Sequence, residues 1–334
     1  MKAAVMTSPG EADVLELRDI DKPRITQSTQ LLVRLKAAGV NPVDTKLRRR
    51  GTYYPERLPA VLGCDGAGVV EAVGDSVRNY RVGDAVYFCN GGIGGEPGNY
   101  AEYTVVDESH VAPKPASLSF VEAAAAPLVL ITAYEALFDR ATVQKDQHVL
   151  IHAGAGGVGH IAIQLAKTAA TRVATTVSSQ DKAAFVTRLG ADLPILYRET
   201  DFISACSDWT AGAGVDMALD TVGGAVFGAT VPALRHYGHL VTLLEPAADM
   251  SWKEARLRNL TVSYELMLTP MLHDLQPARR HQANILAHGA QLFDSGQLRI
   301  QVADVFPLGE AARAHQLVEK GSMTGKAVLR IADE

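Results

Sequence analysis

The chain has 334 residues. A chain of this length is usually too long to fold around a single hydrophobic core, so its length predicts two domains. Apolar residues make up 47% of it and charged residues 21%, which is the composition of an ordinary globular protein rather than a disordered or fibrous one. A formal net charge of −5 gives no reason to expect a nucleic acid or an anionic membrane as a partner.

Cysteine content and the apolar runs narrow the class further. The three cysteines form no C-x-x-C pair, which excludes a disulfide framework and a four-thiolate zinc site and suits a reducing compartment. The amino terminus lacks the apolar stretch of a secretory signal. The most apolar run, 123–137, is bracketed by Glu122 and Glu135 and falls short of the roughly 17 residues that span a bilayer. We therefore expect a soluble cytoplasmic protein with a buried helix at 123–137 and a solvated face at Arg48-Arg49-Arg50.

The first part of the chain, to about residue 115, reads as a series of short strands. Apolar and β-branched residues are separated by Gly, Pro, Asp and Asn, which is typical of a compact antiparallel barrel or sandwich. The predicted strands are 3–6, 31–35, 68–73, 84–88 and 101–106. The segment 90–99 holds five glycines and a proline without periodicity, which predicts a flexible surface loop.

The pattern changes near Ser117. Ser119 followed three residues later by Glu122 predicts a capping box at the start of a helix. Strands then alternate with helices, which predicts a parallel, doubly wound sheet. The predicted strands are 149–153, 172–177, 193–196, 215–219, 240–244 and 260–266, and the helices are 157–168 and 181–189. A helix at 277–295, a strand at 300–306, a helix at 309–320 and a strand at 326–331 follow, and we expect the last strand to return to the amino-terminal domain.

The stretch 147–167 carries the most informative motif. A short apolar run ends in Gly154-Ala155-Gly156-Gly157-Val158-Gly159, a G-x-G-x-x-G, and apolar residues then continue at helical spacing. Strand, glycine turn and helix together are the context in which this motif binds a dinucleotide. Gly154 permits the tight turn, Gly156 lets the backbone approach a pyrophosphate and Gly159 lets helix and strand pack closely. The exposed N–H groups at the helix start then receive the phosphate charge.

Several stretches together resemble the medium-chain dehydrogenase/reductase superfamily, and within it the zinc-free quinone oxidoreductases. They are Ala38-Gly39-Val40-Asn41-Pro42-Val43-Asp44, Gly63-Cys64-Asp65-Gly66-Ala67-Gly68, the turn at 219–224 and Gly325-Lys326-Ala327-Val328-Leu329. The resemblance implies an α/β protein in which a GroES-like β-barrel catalytic domain (1–122 and 270–334) accompanies a Rossmann nucleotide-binding domain (123–269). It also implies a cleft between the domains as active site, a cofactor contact at Lys326, and a homodimer formed through the apolar strand at 260–268.

The departures from the zinc enzymes of that superfamily bear on the chemistry. Where they place their zinc ligands, this chain has Asn41, Cys64 and, near the third position, Leu128, and a catalytic zinc needs three Cys, His or carboxylate ligands. The hydroxyl that relays the alcohol proton in those enzymes is replaced by Val43. Cys64 and Asp65 would be a poor two-ligand cage, and a buried free thiol is the simpler interpretation of Cys64. We expect no metal site.

The expected absence of zinc limits the class of reaction that the protein can catalyse. Without a Lewis acid, oxidation of an unactivated alcohol is difficult, whereas hydride transfer to an electron-poor acceptor is not. The sequence therefore predicts a reductase of quinones or α,β-unsaturated carbonyl compounds. Two alternatives stay open: an enoyl-thioester reductase or alcohol dehydrogenase on the same scaffold, and a redox-sensing or structural protein that binds NADPH without turnover.

The position that selects the cofactor lies about twenty residues after Gly159. NAD-binding folds place Asp or Glu there, but this chain has Ser178-Ser179, followed by Lys182 and, after the next strand, Tyr197. Neutral and cationic groups suit a 2′-phosphate, and zinc-free quinone reductases use Ser, Lys and Tyr in matching places. Asp181 opposes this, but a residue that opens a helix is more often a cap. We expect NADPH.

Three further residues are candidates for the acceptor site. The resemblance implies that Asn41 lines the cofactor and substrate pocket, although Asn before Pro also suits a simple turn. Tyr53 matches a tyrosine in the substrate cleft of relatives and can donate a hydrogen bond to a carbonyl, as can Tyr54. Thr132 aligns with a threonine beside the nicotinamide, unless it only bonds back to its own helix.

Two other features bear on the pocket. Val158, beside the glycines, should pack on the cofactor. The segment 243–246, Leu-Leu-Glu-Pro, replaces a small glycine- and serine-rich loop of relatives, and it either reshapes the acceptor site or lies outside it.

Overall fold

The computed structural model describes residues 1–333 as two compact units. One unit is Met1–Val129 together with the segment that begins at Leu268, and the other is Leu130–Met267. The strands are β1 (Lys2–Met6), β2 (Leu15–Asp19), β3 (Gln30–Val40), β4 (Ala60–Val61), β5 (Asp65–Val73), β6 (Ala85–Cys89), β7 (Tyr103–Asp107), β8 (Val111–Pro113), β9 (His148–Ile151), β10 (Arg172–Val177), β11 (Leu193–Leu196), β12 (Val215–Asp220), β13 (Leu234–Thr242), β14 (Thr261–Tyr264), β15 (Val302–Pro307) and β16 (Lys326–Arg330). The α-helices are α1 (Pro42–Arg50), α2 (Phe120–Ala125), α3 (Pro127–Tyr134), α4 (Gly157–Thr168), α5 (Gln180–Arg188), α6 (Phe202–Trp209), α7 (Ala225–Thr230), α8 (Lys253–Leu257), α9 (Thr269–Leu272), α10 (Gln276–Asp294) and α11 (Ala311–Lys320).

The first unit is built around β3. This long strand pairs antiparallel with β5, β7 and β16, within a sheet of order β15-β16-β3-β5-β6-β8, and a smaller sheet has the order β2-β1-β4. Alternate apolar side chains of β3 point into a core that they share with β5, β6 and β8. The pairing of Ala327 with Val40 confirms that the last strand returns to the amino-terminal part of the chain.

The second unit is a six-stranded sheet of order β11-β10-β9-β12-β13-β14, in which every pairing is parallel. The central strands are apolar on both faces because α-helices cover both faces of such a sheet. Leu150, Ala218 and Leu240 lie at the middle of its core and have no exposed surface. The predicted doubly wound sheet is confirmed.

Some local predictions are wrong. Segment 90–99 is not a surface loop: Ile93 and Asn99 are buried, and Asn99 Nδ2 donates to three backbone carbonyls that hold the loop in place. Arg48 does not lie on a solvated face, because its guanidinium is fully buried and forms an ion pair with Glu319. Arg48 lies in helix α1, which begins directly after Asn41. This helix was not predicted, because the first part of the chain was interpreted as strands and turns.

The predicted long helix at 123–137 is divided. Ser119 and Glu122 form the predicted capping box, but α2 ends at Ala125 and Pro127, which lacks an N–H, begins α3. A π-helical segment, Glu135–Arg140, continues α3. Among residues 1–333, no helix combines the length and the apolarity needed to cross a bilayer.

Candidate cofactor and substrate site

The glycine turn after β9 has the predicted strand, turn and helix around it. A side chain at Gly154 would collide with the Thr175 hydroxyl, and one at Gly159 would collide with the Ala153 carbonyl oxygen. A Cβ at Gly156 would meet only the Ala153 oxygen, at 3.2 Å. Gly154 and Gly159 are thus required by packing, whereas Gly156 leaves an open approach to the backbone. The residue with positive φ is Ala153 rather than Gly154.

The start of α4 suits an anion. Gly156 is the N-cap residue and has no side chain, so no side chain caps the first turn of this twelve-residue helix. Its unpaired N–H groups and the helix dipole favour a negative charge at this point. The observed turn therefore fits the pyrophosphate of a dinucleotide, with Gly157 and Val158 at the helix start beside it.

The residues predicted to select the cofactor lie together. Ser178 and Ser179 follow β10, and Tyr197 follows the adjacent parallel strand β11, where its N–H donates to the Val177 carbonyl over 3.3 Å. Lys182 is in the first turn of α5. The N-cap of α5 is Ser179, not Asp181, and the Ser179 hydroxyl oxygen accepts from the Lys182 N–H. These side chains are partly or largely exposed at one edge of the second unit.

The loop 243–246 packs on the turn that follows β12. Buried Asp220 organises this turn, because its Oδ1 accepts from the N–H groups of Val222 and Gly223. The Leu243 N–H donates to the Asp220 carbonyl, and the Glu245 carbonyl accepts from Gly224. The segment thus lies at the carboxyl ends of β12 and β13, the edge of a doubly wound sheet at which ligands bind.

The two other predicted pocket residues differ in exposure. Tyr53 is 51% exposed, on the loop between α1 and the next short helical turn, and its N–H donates to the Ile93 carbonyl over 3.2 Å. Its neighbour Tyr54 is partly buried against the Arg57 guanidinium, 5.2 Å from the ring centroid. Thr132 lies in α3 and is buried. Tyr53 is therefore the more exposed of the two adjacent tyrosines.

Asn41 belongs to a buried polar cluster in the first unit. Its Nδ2 donates to Asp65 Oδ2 over 2.9 Å, and its Oδ1 accepts from the Lys326 ammonium. Lys326 Nζ also donates to the Val40 carbonyl (3.1 Å) and lies 3.7 Å from Asp65 Oδ2. Lys326 is 2% exposed. In this cluster the Lys326 ammonium serves as the counter-charge of Asp65, and the cofactor contact that the resemblance implies for Lys326 stays a prediction.

The remaining oxygen of Asp65 is also satisfied. Asp65 Oδ1 accepts from the backbone N–H of Leu128 over 2.8 Å, so Leu128 contributes an amide and no metal ligand. Burial raises the pKa of Asp65 and lowers the pKa of Lys326, and the opposite charge of each partner offsets part of that effect. Cys64, directly before Asp65, is a buried free thiol, as predicted. Within residues 1–333, no three His, Cys, Asp or Glu side chains converge as metal ligands.

A second buried carboxylate supports the loop that holds Asn41. Asp44 Oδ2 accepts from the Asn41 N–H (2.8 Å) and from the Tyr100 hydroxyl (3.0 Å), whose oxygen is 3.2 Å from His315 Nε2. Burial raises the pKa of Asp44 to about 7, outweighing the Asn41 N–H. The sequence indicates the support role of Asp44, but Tyr100 and His315 are distant in the chain and carried no signal.

Two family models match parts of this chain. The family model described as alcohol dehydrogenase GroES-like domain matches residues 27–116, and the one described as zinc-binding dehydrogenase matches 189–329. A zinc-type alcohol dehydrogenase-like protein of Staphylococcus epidermidis is 31% identical over 90% of each chain. The human quinone oxidoreductase is 30% identical over 98% of this chain and 97% of its own. The structure of Escherichia coli quinone oxidoreductase complexed with NADPH has a TM-score of 0.86 at 28% identity, covering 99% of this chain and all of the other.

Proposed function

Because this chain belongs to the medium-chain dehydrogenase/reductase superfamily and is an oxidoreductase, we propose that it reduces quinones or α,β-unsaturated carbonyl compounds with NADPH and without zinc. The quinone oxidoreductases of human and E. coli are among its relatives. Separate properties of the chain support the absence of a metal, the class of acceptor and the choice of cofactor.

The buried cluster of Asn41, Asp65 and Lys326 is the observation that carries the proposal. In the zinc enzymes that the chain resembles, the Asn41 position holds a metal ligand. Here an amide stands there, and an ammonium already compensates the neighbouring carboxylate. A dication at this point would face the Lys326 charge in a region of low dielectric, which is strongly unfavourable. The cluster therefore supports an enzyme in which the Lys326 ammonium supplies the positive charge that a zinc ion supplies in the zinc enzymes.

The acceptor class follows from that charge arrangement. NADPH, when bound, supplies the hydride. The acceptor must already be electrophilic, because no Lewis acid polarises it. We assign to the hydroxyl of the exposed residue Tyr53 a hydrogen bond to the acceptor oxygen, and to Thr132 a position beside the nicotinamide. Asn41 acts by holding its loop and the Lys326 ammonium in place, which makes it a positioning residue.

Ser178, Ser179, Lys182 and Tyr197 support NADPH over NADH. Ser178, Ser179 and Tyr197 follow the adjacent strands β10 and β11, and Lys182 lies in the first turn of α5. The one acid in that turn, Asp181, is exposed, and Ser178 stands where NAD-binding folds place an acid. A charged hydrogen bond to the 2′-phosphate is worth about 1.5–3 kcal/mol. Lys182→Ala should therefore raise the dissociation constant of NADPH by roughly ten- to hundredfold and leave that of NADH unchanged. Lys145→Ala, at an exposed lysine, is the control.

A homodimer is also proposed. The exposed strand β14 is an edge of the parallel sheet in the second unit, and the resemblance implies pairing of this strand with its copy.

One assay separates the candidate functions. Oxidation of NADPH is measured with quinones, enones and 2-enoyl thioesters, and oxidation of alcohols is measured with NADP⁺. All assays are repeated after chelation and with metal analysis of the protein. We expect turnover of quinones or enones that chelation does not change. Alcohol oxidation that depends on stoichiometric zinc would contradict the proposal and favour the function that the name of the S. epidermidis relative suggests. NADPH binding without any turnover would favour a redox-sensing or structural role.

A further inference from the structure

The side chain of His152 is buried directly before the glycine turn. His152 follows Ile151, the last residue of β9, and is 2% exposed. Its Nδ1 lies 3.2 Å from the hydroxyl oxygen of Thr176, near the end of β10, and its Nε2 lies 2.8 Å from the hydroxyl oxygen of Thr230, the last residue of α7. One imidazole ring therefore connects the strand beside the turn with a helix that follows β12.

The neighbouring hydrogen bonds determine which ring nitrogen carries the proton. The Thr230 hydroxyl donates its only proton to the Val226 carbonyl over 2.7 Å, so it accepts from His152 Nε2. A neutral imidazole that is protonated on Nε2 accepts at Nδ1, and the Thr176 hydroxyl is the donor there. Burial lowers the pKa of His152 to about 4, and the charge of Asp220 opposes that effect, so the ring is neutral at neutral pH. His152 is thus a donor toward α7 and an acceptor toward β10.

Thr176 connects this ring to the backbone of the turn. Its hydroxyl oxygen accepts from the Ala153 N–H over 3.0 Å, and its carbonyl accepts from the Gly154 N–H over 3.1 Å. Ala153 has a φ of 51°, which is unfavourable for a residue with a side chain and persists only where the surroundings hold it. The Ala153 carbonyl accepts from the Gly156 N–H over 2.9 Å, so a change at Ala153 reaches the residue that begins α4.

We propose that His152, as the tautomer protonated on Nε2, is a positioning residue for the turn that receives the pyrophosphate of NADPH. It does not touch the cofactor, because both ring nitrogens bind hydroxyl groups and the residue is buried. It acts by orienting the Thr176 hydroxyl, whose oxygen then accepts from the Ala153 N–H and holds this strained residue at the start of the turn. The inference rests on the proposed function, in which this turn binds NADPH.

Two substitutions of His152 separate its two hydrogen bonds. In His152→Asn the amide oxygen takes the place of Nδ1 and accepts from Thr176, but the side chain is too short to reach Thr230. In His152→Gln the longer side chain brings an amide nitrogen to the place of Nε2 and donates to Thr230, whereas Thr176 loses its acceptor. Both variants lose the contact of the imidazole with the Phe202 ring, 5.0 Å between centroids, so both should have a lower melting temperature.

The dissociation constant of NADPH, measured by titration calorimetry, distinguishes the two variants. We expect it to stay within about twofold of the wild-type value in His152→Asn and to rise about three- to tenfold in His152→Gln, which is the effect of one hydrogen bond. Thr176→Val and Thr230→Val are a matched pair, because each removes one buried hydroxyl that bonds to His152. Thr176→Val should weaken NADPH binding at least as much as His152→Gln, and Thr230→Val should leave it within about twofold of the wild type.

NMR of the histidine ring nitrogens of the wild type tests the tautomer independently of any variant's stability. The His152 signals are assigned by their loss in His152→Asn, and we expect a proton on Nε2 and none on Nδ1 at neutral pH. A proton on Nδ1 would overturn the inference and leave the proposed function intact. Equal NADPH dissociation constants in His152→Asn and His152→Gln would do the same, because they indicate a role in packing alone. Absence of NADPH binding to the wild type would overturn the proposed function as well.

Discussion

At the scale of single residues, Gly156 is the position that separates cofactor binding from folding. A Cβ there meets only one backbone oxygen, at 3.2 Å, and valine is a poorer N-cap residue than glycine, so Gly156→Val should still fold but lose about 1 kcal/mol of stability. Its side chain would instead fill the space that a pyrophosphate needs at the start of α4. We expect the dissociation constant of NADPH to rise by at least about a hundredfold, or about 2.7 kcal/mol. Titration calorimetry together with thermal unfolding measures both quantities.

Gly154→Ala is the contrasting variant. Its methyl group collides with the Thr175 hydroxyl, so the loss should appear in the melting temperature. Unchanged NADPH affinity in a folded Gly156→Val protein would refute the assignment of the phosphate site.

Lys326 and Asp65 allow the buried counter-charge to be tested by a double-mutant cycle. Lys326→Met leaves the Asp65 carboxylate buried beside an apolar side chain, which should lower the free energy of unfolding by about 3–5 kcal/mol. The double variant with Asp65→Asn should recover a large part of that loss, because no unpaired charge remains. Urea unfolding at neutral pH gives the four values of the cycle.

Lys2→Met provides the baseline for that cycle. The side chains of its ion pair with Asp19 are 52% and 71% exposed, so solvent screens the pair, and its removal should leave the free energy of unfolding nearly unchanged. A similar small loss for Lys326→Met would contradict a stabilising role of the buried ammonium.

At the scale of elements, the periodicity of apolar residues predicted the bounds of helices and strands where the apolar pattern is uninterrupted. Helix α4 and strand β10 begin and end at the predicted residues because an uninterrupted apolar pattern and a glycine turn define them. Helix α1 was missed, since its nine residues carry three consecutive arginines and one of these is buried by a distant partner, Glu319. The burial of loop 90–99 depends in the same way on the tertiary contacts of Asn99.

In the candidate site, too, residues placed by their neighbours in the chain were predictable, and residues placed by distant partners were not. The glycines and the residues after β10 lie where their sequence context predicted, because neighbouring residues in a βαβ unit set their positions. The role of Lys326 was not predictable, since its partners Asn41 and Asp65 are more than 250 residues away in the chain.

At the scale of the whole molecule, the two edges of the parallel sheet differ in their ability to pair. The edge strand β11 contains Pro194, which lacks an N–H and discourages addition of another strand. The opposite edge, β14, contains no proline; its last residue, Tyr264, is 56% exposed, and Leu266, just after it, is 48% exposed. Since an open edge with exposed apolar side chains favours association, β14 is the better interface for the proposed homodimer.

Tyr264→Pro tests this interface. The Glu265 N–H donates to Thr242 of β13, so the preceding N–H, that of Tyr264, points to the free edge by the alternation of a strand. Proline at 264 removes that donor without removing a bond to β13. We expect light scattering after gel filtration to give twice 35.6 kDa for the wild type and 35.6 kDa for the variant, with unchanged circular dichroism. Leu17→Ala, at an exposed leucine of the first unit, should keep the mass of the wild type. A monomeric wild type at micromolar concentration, or a dimeric Tyr264→Pro protein, would show that β14 does not join two copies.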